Sequence, residues 1–412
     1  MKVLVIGREP NLFNEESEAF KRIREYAGLF KELHIVSGER EKREPRRYGN
    51  LFLWPAVSRI SLLRFWQVLQ LGKAIARKYR PQVIDAQDSG EWGLVAYLVA
   101  RGSRIPLRLQ IHTDVFSQYY RRASWKERIR YTLARFLVPR ADCIRVVSHR
   151  IKQSLWRTKL STFCGELSSP HSTQKITILP IFTDISKFQN AAKDPQTEER
   201  FKDYDFKMIA VGRFVDKEKN FSMLIKIMRD FIKICPKALL VIVGYGPDKK
   251  KYLQMVQKYK LKKNVIIDSE GEVKSFLFTP TERTNYVERS EDIIEPWRDD
   301  LPTFYKSFDL FLLSSNYEGW GRTVVEAMAC GLPVVMTDVG LAGEVLLDGE
   351  NGYVVPVGDT EAMIRAIKKL YEDPEIRRKF AAVGQSTARS LRPATKEEYL
   401  TLYKESISRC SF

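Results

Sequence analysis

The stretch "NYEGWGRTVVEAMACGLPVV", residues 316–335, decides how the chain is read. Glu318 and Glu326 stand eight positions apart, with Gly-Trp-Gly just after the first and a run of small and apolar residues around the second. Eight residues is a little over two helical turns, yet Gly319 and Gly321 are poor helix residues and good turn residues. The stretch therefore predicts a glycine turn and then a helix that begins near Arg322 or Thr323, with Glu326 on its first turn. One carboxylate sits on a loop and the other on a helix, so they address two portions of an elongated ligand. Ala327, Ala329 and Gly331 are small enough to let that helix lie close on a sheet. An apolar strand, "DLFLLSS", precedes the turn and another, "PVVMTD", follows the helix.

That strand–turn–helix–strand unit repeats outward in both directions. "FKMIAVG", "ALLVIVG", "NVIID" and "GYVVP" read as further strands, alternating with the helical segments "FSMLIKIMRDFIKI", "DKKKYLQMVQKYK" and "EAMIRAIKKLYE". The first half alternates too, through "KVLVIG", "ELHIVS", "QVIDAQ", "LRLQIH", "CIRVVS" and "ITILP". Such alternation predicts an α/β fold of two doubly wound, Rossmann-like domains, with ligands at the carboxyl ends of the strands in a cleft between them. The boundaries expected are 1–185 for the first domain, 186–205 for a polar linker, 206–388 for the second domain, and 389–412 for a final amphipathic helix that crosses back. Residues 269–298 break the rhythm and read as an insertion or long loop.

At 412 residues the chain is long enough for two cores, and 44% apolar content can fill them. The net charge of +18 is one-sided: residues 1–190 hold 34 Lys and Arg against 17 Asp and Glu, whereas the remainder is nearly balanced. A field of that kind implies an anionic partner for the first half. Five scattered cysteines without metal-ligand spacing point to reduced thiols and a cytoplasmic setting. "MKVLVIGREP" reads as a first strand rather than a signal peptide, and no run reaches the ~18 apolar residues of a membrane span.

Four segments leave strands in the second half: "AVGRF" (210–214), "VGYGP" (243–247), "SSNYEGWGRT" (314–323) and "TDVGLAGE" (337–344). Their chemistry suits a nucleotide diphosphate. Arg213 offers a guanidinium fork and Lys219 a point charge for two phosphates. Gly319 and Gly321 admit a close backbone, and the helix start at Arg322 and Thr323 aims free N–H groups at an anion. Glu326 can take both hydroxyls of a ribose, while Glu318, next to Trp320 in the turn, reaches another part such as sugar hydroxyls. Each feature alone has a plainer explanation: a turn, a dipole contact, a surface cation. All four at strand ends of one domain favour a ligand.

These segments resemble the retaining glycosyltransferases of family four, which have the GT-B fold. The matching residues are "VGRF…EKN" (211–220), "LLVIVGYGP" (239–247), "EGWGRTVVEAMACGLPVV" (318–335), "TDVG" (337–340) and "DGENGYVVP" (348–356), with Glu318 and Glu326 standing at the family's Glu-x7-Glu motif. The resemblance implies that Arg213 and Lys219 hold the donor diphosphate, Glu326 the ribose, and Glu318 the donor sugar near its anomeric centre, with residues 319–323 lining the donor. It implies a UDP- or GDP-sugar as donor substrate, no cofactor, no metal, and retention of anomeric configuration. The leaving diphosphate can itself receive the acceptor proton, so catalysis is positioning and charge stabilisation. "RPQVIDAQDSGEWGLVAYL" and "LRLQIHTDVFS" resemble the family's acceptor domain, and by that resemblance His112 faces the donor sugar and joins Glu318 as a catalytic residue. The family's glycine-rich first loop is missing, and Gly7 alone stands where it would contact a donor phosphate.

Among the remaining candidates, His34 lies in a strand and reads as structural. Asp203 and Asp205 form an Asp-x-Asp triplet on the wrong side of a strand and read as linker. Asp85 and Asp88 can orient an acceptor hydroxyl or cap the next helix. "SLLRFWQVLQLGKAIARKYR" and "YYRRASWKERIRYTLARFLVPR" read as basic helices with interleaved aromatics, suited to an anionic membrane surface or to a solvated face with its aromatics in the core. The expected function is transfer of a sugar to an acceptor hydroxyl of a lipid-linked or surface glycan, in the cytoplasm or at the inner face of a membrane. The alternatives are another GT-B enzyme, such as a nucleotide-sugar epimerase or phosphorylase, and a basic protein that binds membrane or nucleic acid. The Arg213, Lys219, Glu318 and Glu326 set favours the transferase, with no nucleic acid as partner.

Overall fold

The computed structural model of the chain describes residues 1–9, 11–158, 176–269 and 300–411. All but Ser269 of the interruption expected at 269–298 lies outside the described residues, as do Cys164 and His171. The chain folds as two compact units, Met1–Pro180 with Lys396–Phe412, and Ile181–Thr395.

The first unit is built on an eight-stranded sheet: β1 (Lys2–Gly7), β2 (Glu32–Glu39), β3 (Arg46–Tyr48), β4 (Leu51–Val57), β5 (Val83–Ala86), β6 (Leu107–Ile111), β7 (Cys143–Val146) and β8 (Ile176–Ile178). Their spatial order is β3-β4-β2-β1-β5-β6-β7-β8, and every pairing is parallel except β3 with β4. That antiparallel hairpin departs from the expected pattern. It turns at Gly49, whose φ of 63° suits glycine, and Pro55 lies beyond the three residues that β3 pairs, so its missing N–H breaks no bond to β3. β5, β6 and β7 are buried along their whole length, so the polar residues Asp85, Arg108, Gln110 and Arg145 within them must find partners inside the protein.

The basic stretch read as one helix is two, Gln118–Ala123 and Trp125–Leu137, because Ser124 is extended between them and gives its hydroxyl to the Glu127 carboxylate. The final helix, Lys396–Ser408, belongs to the first unit and buries Tyr399, Tyr403 and Ile407 there. Tyr26 stacks on Tyr403 with ring centroids 4.5 Å apart. Cys143, at the start of β7, and Cys410, just past the final helix, form a disulfide across 267 positions of sequence. The thiols that looked scattered are therefore not all free: folding pairs these two, while Cys235 and Cys330 are buried thiols.

The second unit carries β9 (Phe206–Val211), β10 (Ala238–Val243), β11 (Val265–Asp268), β12 (Leu310–Leu313), β13 (Val334–Thr337) and β14 (Tyr353–Val355) in a parallel sheet of order β11-β10-β9-β12-β13-β14. Met208, Leu240, Ile242 and Leu310 face a core completed by the helices Phe221–Phe231 and Thr360–Glu372. The stretch read as a linker holds two short helices, Ile185–Gln189 and Pro195–Arg200. A 17-residue helix, Pro374–Ser390, has no counterpart in the sequence reading. Asp373 caps it, its Oδ1 accepting the N–H groups of Glu375 at 2.9 Å and Ile376 at 3.0 Å, with Pro374 at the first helical position.

Candidate functional site

In the second sheet the chain leaves β9 toward β10 on one side and β12 toward β13 on the other. The loops after β9 and β12 therefore part at the carboxyl end of the sheet, where a doubly wound fold opens a crevice. Both loops are tightly held. A Cβ on Gly244 (φ 154°) would lie 1.8 Å from the Gly212 carbonyl oxygen, so the loops after β9 and β10 meet backbone to backbone. Asp216 accepts the Ser222 N–H at 2.9 Å and Lys251 Nζ at 2.5 Å, which fixes the short helix Asp216–Lys219. Asn220, at φ 52°, turns the chain into the helix Phe221–Phe231. The loops after β9 and β12 are also tied to each other. Ser314 Oγ donates to the Lys219 carbonyl at 2.8 Å, and the Asn316 N–H donates to the Glu218 carbonyl, also at 2.8 Å.

This scaffold brings Arg213, Lys219 and Glu318 together. Lys219 Nζ lies 2.5 Å from Glu318 Oε1 and 3.2 Å from Glu218 Oε1. Ser315 Oγ donates to the same Glu318 oxygen at 2.7 Å. Arg213 Nη2 donates to both Glu218 oxygens, at 3.0 and 2.8 Å. Glu218 is the member that sequence reading missed; in "DKEK" it looks like an ordinary helix charge. Its pKa is lowered: burial pushes it up, but Lys219 and Arg213 outweigh that. Lys219 is raised, burial pulling it down while Glu318 and Glu218 more than compensate, and Arg213 is raised chiefly by Glu218. The shifts of Glu218, Lys219 and Arg213 thus all favour their charged forms.

The turn and helix after Glu318 form as expected, with the helix at Arg322–Ala329 and Gly321 at φ 100° before it. Gly319 and Trp320 are buried rather than presented to solvent. The Trp320 carbonyl accepts the Leu341 N–H at 2.9 Å, and a Cβ on Gly340 would lie 2.4 Å from that carbonyl oxygen, so "TDVG" braces the turn from behind. Arg322 and Thr323 open the helix, where backbone N–H groups lack carbonyl partners within it. Glu326 departs from its expected place. It is the fifth residue of the helix, not in the first turn, and it is buried, with Oε1 3.0 Å from Arg322 Nε and Oε2 accepting the Tyr305 hydroxyl at 3.3 Å. Burial raises its pKa despite the Arg322 charge.

Gly7 and His112 belong to the first unit. A Cβ on Gly7 would lie 2.1 Å from Gln87 Oε1, so the missing side chain there makes room for Gln87. Asp88 takes the capping role, its Oδ1 accepting the N–H groups of Gly90 at 2.7 Å and Gly93 at 3.3 Å at the head of the helix Glu91–Ser103. Asp85 caps nothing; its two oxygens accept Arg108 Nη1 at 2.9 Å and Gln110 Nε2 at 2.7 Å. His112 follows β6, with Nε2 3.1 Å from Gln110 Oε1. It lines a pocket of 260 Å³ with Gln87, Asp88, Glu91, Tyr120 and Arg130. Dense surroundings and then the guanidiniums of Arg145, Arg108 and Arg22 pull its pKa down to about 3. The residue keeps open surface, so its desolvation is partial and the direction rests on the three cations. His34, by contrast, is fully buried, stacked on Phe52 and bonded to Glu32 and Trp54, which is a structural role.

Two families of known proteins match the chain. Glycosyl transferases group 1 covers residues 193–279 and 282–387, and Glycosyltransferase Family 4 covers residues 23–161. The lipopolysaccharide core biosynthesis glycosyltransferase LpsE of Rhizobium meliloti is 36% identical over 108 residues, 26% of this chain and 32% of LpsE. The chain thus spans about a third of the first curated relatives it matches. The alpha-monoglucosyldiacylglycerol synthase of Acholeplasma laidlawii is 23% identical over 86% of this chain and 83% of its own. Sucrose-phosphate synthase from Thermosynechococcus elongatus superposes with a TM-score of 0.72 at 17% identity, covering 99% of both chains. HepE of Anabaena, in complex with UDP-glucose, superposes with a TM-score of 0.66 at 16% identity, covering 99% of this chain and 98% of its own. With two parallel α/β units, the Glu-x7-Glu turn at the switch of the second sheet, and these matches, the chain belongs to the family-four glycosyltransferases and has the GT-B fold.

Proposed function

We propose that the chain transfers a sugar from a nucleotide diphosphate donor to an acceptor hydroxyl of a lipid-linked or surface glycan, with retention of anomeric configuration and without a metal. The observation that carries this reading is the cluster of Arg213, Lys219 and Glu318 where the order of the second sheet reverses, beside the opening turn of Arg322–Ala329. A diphosphate entering there exchanges places with carboxylates: Arg213 leaves Glu218, and Lys219 leaves Glu318, for phosphate oxygens. Glu318 is then free to meet the sugar next to the phosphate, and the helix N-terminus and the two cations stabilise the leaving diphosphate. In this reading Glu326, held by Arg322 and Tyr305, takes the ribose hydroxyls once Arg322 turns to the phosphates.

HepE, bound to UDP-glucose in its structure, supports a nucleotide-diphosphate sugar as donor, UDP- or GDP-linked. The two relatives, one in lipopolysaccharide core synthesis and one a glucosyldiacylglycerol synthase, support an acceptor attached to lipid. An anionic membrane surface is the partner that fits the first unit. Ile60, Leu62 and Trp66 are exposed at the start of the helix Ser61–Tyr79, and Trp125 and Ile129 on Trp125–Leu137, among the exposed cations Arg121, Arg122, Lys126 and Arg128. No helix among the described residues is long and apolar enough to cross a membrane, so contact would be peripheral.

The deciding experiment pairs Glu318→Ala with a donor screen. Melting shifts against UDP-, GDP-, ADP- and dTDP-sugars identify the donor by the largest stabilisation. Glu318→Ala is expected to melt within a few degrees of the parent and to lose transfer. A variant as active as the parent sinks the assignment.

A further inference from the structure

The first unit holds two arginines inside its sheet, and each gives one hydrogen bond to the C-terminal helix. Arg108 is 1% exposed; its Nη1 bonds Asp85 and its Nη2 donates to Ser406 Oγ at 2.7 Å. Arg145 is 3% exposed; its Nη2 donates to the Tyr399 hydroxyl at 2.9 Å and to the Leu179 carbonyl at 3.2 Å, and its Nη1 to Gln110 Oε1 at 2.8 Å. Both guanidiniums also lie against the Tyr403 ring, at 5.3 and 5.4 Å from its centroid.

Gln110 stands where these two chains of contacts meet. Its Nε2 donates to Asp85 at 2.7 Å and its Oε1 accepts from Arg145. A guanidinium only donates, and an ionised carboxylate only accepts. Turning the amide over would set N–H against N–H and oxygen against carboxylate, so the amide has one orientation. The atom it presents to His112 Nε2, 3.1 Å away, is therefore the acceptor Oε1. His112 must supply the proton from Nε2, which leaves Nδ1 with its lone pair.

We propose that the returning C-terminal helix, through Arg145 and Gln110, fixes the Nε2–H tautomer of His112, so that Nδ1 serves as a hydrogen-bond acceptor for a substrate hydroxyl in the adjoining pocket. The hydroxyl rests on the transferase reading; the tautomer does not. A second proton on the ring is disfavoured by Arg145 from β7, Arg108 from β6 and Arg22 from the helix Glu18–Ala27. Among the described residues, Arg145 is the one of these cations that no carboxylate matches: Arg108 is paired with Asp85 and Arg22 with Glu9 at 2.8 Å, whereas the partners of Arg145 are uncharged. Of the other acids nearby, Glu91 is matched by Arg130 at 3.0 Å, Asp88 is engaged by the backbone of Gly90 and Gly93, and Asp114 by Ser154 and the Phe116 N–H. Gln110, Arg145 and Tyr399 are thus positioning residues, and His112 recognises a hydroxyl rather than giving a proton to it.

The chain has four histidines, few enough for long-range ¹H–¹⁵N NMR of histidine-labelled protein, with His112→Asn assigning the resonance. The expected wild-type spectrum has His112 protonated at Nε2, bare at Nδ1, and unchanged between pH 8 and pH 5. A ring protonated at Nδ1, or one that titrates like free histidine, overturns the proposal. Tyr399→Phe removes a single hydroxyl outside the sheet, and Gln110→Met removes the amide. Each is expected to yield a tautomer mixture and to lower kcat/KM about tenfold, roughly the worth of one hydrogen bond to substrate. An undisturbed tautomer in folded Tyr399→Phe overturns the part assigned to the helix. The spectrum needs no substrate, so the tautomer is read independently of whether the chain transfers sugar.

Discussion

Arg108→Met tests whether the buried network holds the first unit together. The side chain is nearly isosteric along its stem, so little cavity is left behind. What is lost is the cation beside Asp85, a pair whose members are 1% and 0% exposed with an N–O distance of 2.9 Å. Asp85 then keeps the Gln110 amide as a donor but stands as a carboxylate with no opposite charge against it. Breaking a buried pair from one side costs about 3–5 kcal/mol. The bond to Ser406 and the contact with Tyr403 are lost as well, so the upper half of that range is expected. This is a large part of the ~5–15 kcal/mol that a domain has. Urea unfolding followed by hydrogen exchange, which assigns each transition to its unit, is the assay. The first unit should melt out early and the second should not move. Asp85→Leu added to Arg108→Met removes the stranded charge and should recover most of the loss, with a residue from the orphaned Gln110 amide. A single variant that costs under about 1 kcal/mol, or a double variant as damaged as the single, refutes the reasoning.

Acid should weaken the same unit. His34 is lowered by burial, against the pull of Glu32, and His112 to about 3; each binds fewer protons folded than unfolded. Their contribution is present above the ordinary histidine value near 6.5 and is lost as pH falls toward the folded values. The urea midpoint of the first unit is expected to drop between pH 7 and pH 5, less so in His112→Asn; a flat profile refutes this. Vesicle sedimentation tests the membrane contact: the protein should pellet with phosphatidylglycerol vesicles and not with phosphatidylcholine, with Leu62→Ser/Trp66→Ser weakening it about tenfold or more at unchanged salt dependence. Equal binding to both lipids would refute the charge argument.

Much of the second unit could be read from sequence because its strands are continuous apolar runs, each ended by a glycine-bearing loop. The turn at residues 318–321 and the helix at Arg322 followed from the same glycines. Other features hid behind competing signals. Pro55 masked β4, although Gly49-Asn50 between Tyr48 and Leu51 is a hairpin signal. The helix Pro374–Ser390 is polar enough to miss by apolar periodicity, yet Asp373-Pro374-Glu375 announces its start. The burial of Glu326 was not readable because burial is not a local property: only the fold brings Tyr305 onto it. Glu218 could not be distinguished from the exposed charges around it. Arg108 and Gln110 alternate along one strand, with His112 just past its end, and Arg145 interrupts an apolar run on the next. A charge in the middle of a core strand is the trace such a network leaves in sequence, although the partners, more than 250 positions away, are not readable there.

The membership of Lys396–Ser408 in the first unit sets an order of events during synthesis. A chain emerging from the ribosome makes residues 1–180 first, with Arg108 and Arg145 already in place in their strands and their partners Ser406 and Tyr399 not yet made. The second unit, contiguous in sequence, can close before the first is finished. The earlier half of the protein therefore waits for the later half, with two buried cations as the open seam, and the closing turn of helix is also what completes the surroundings of His112.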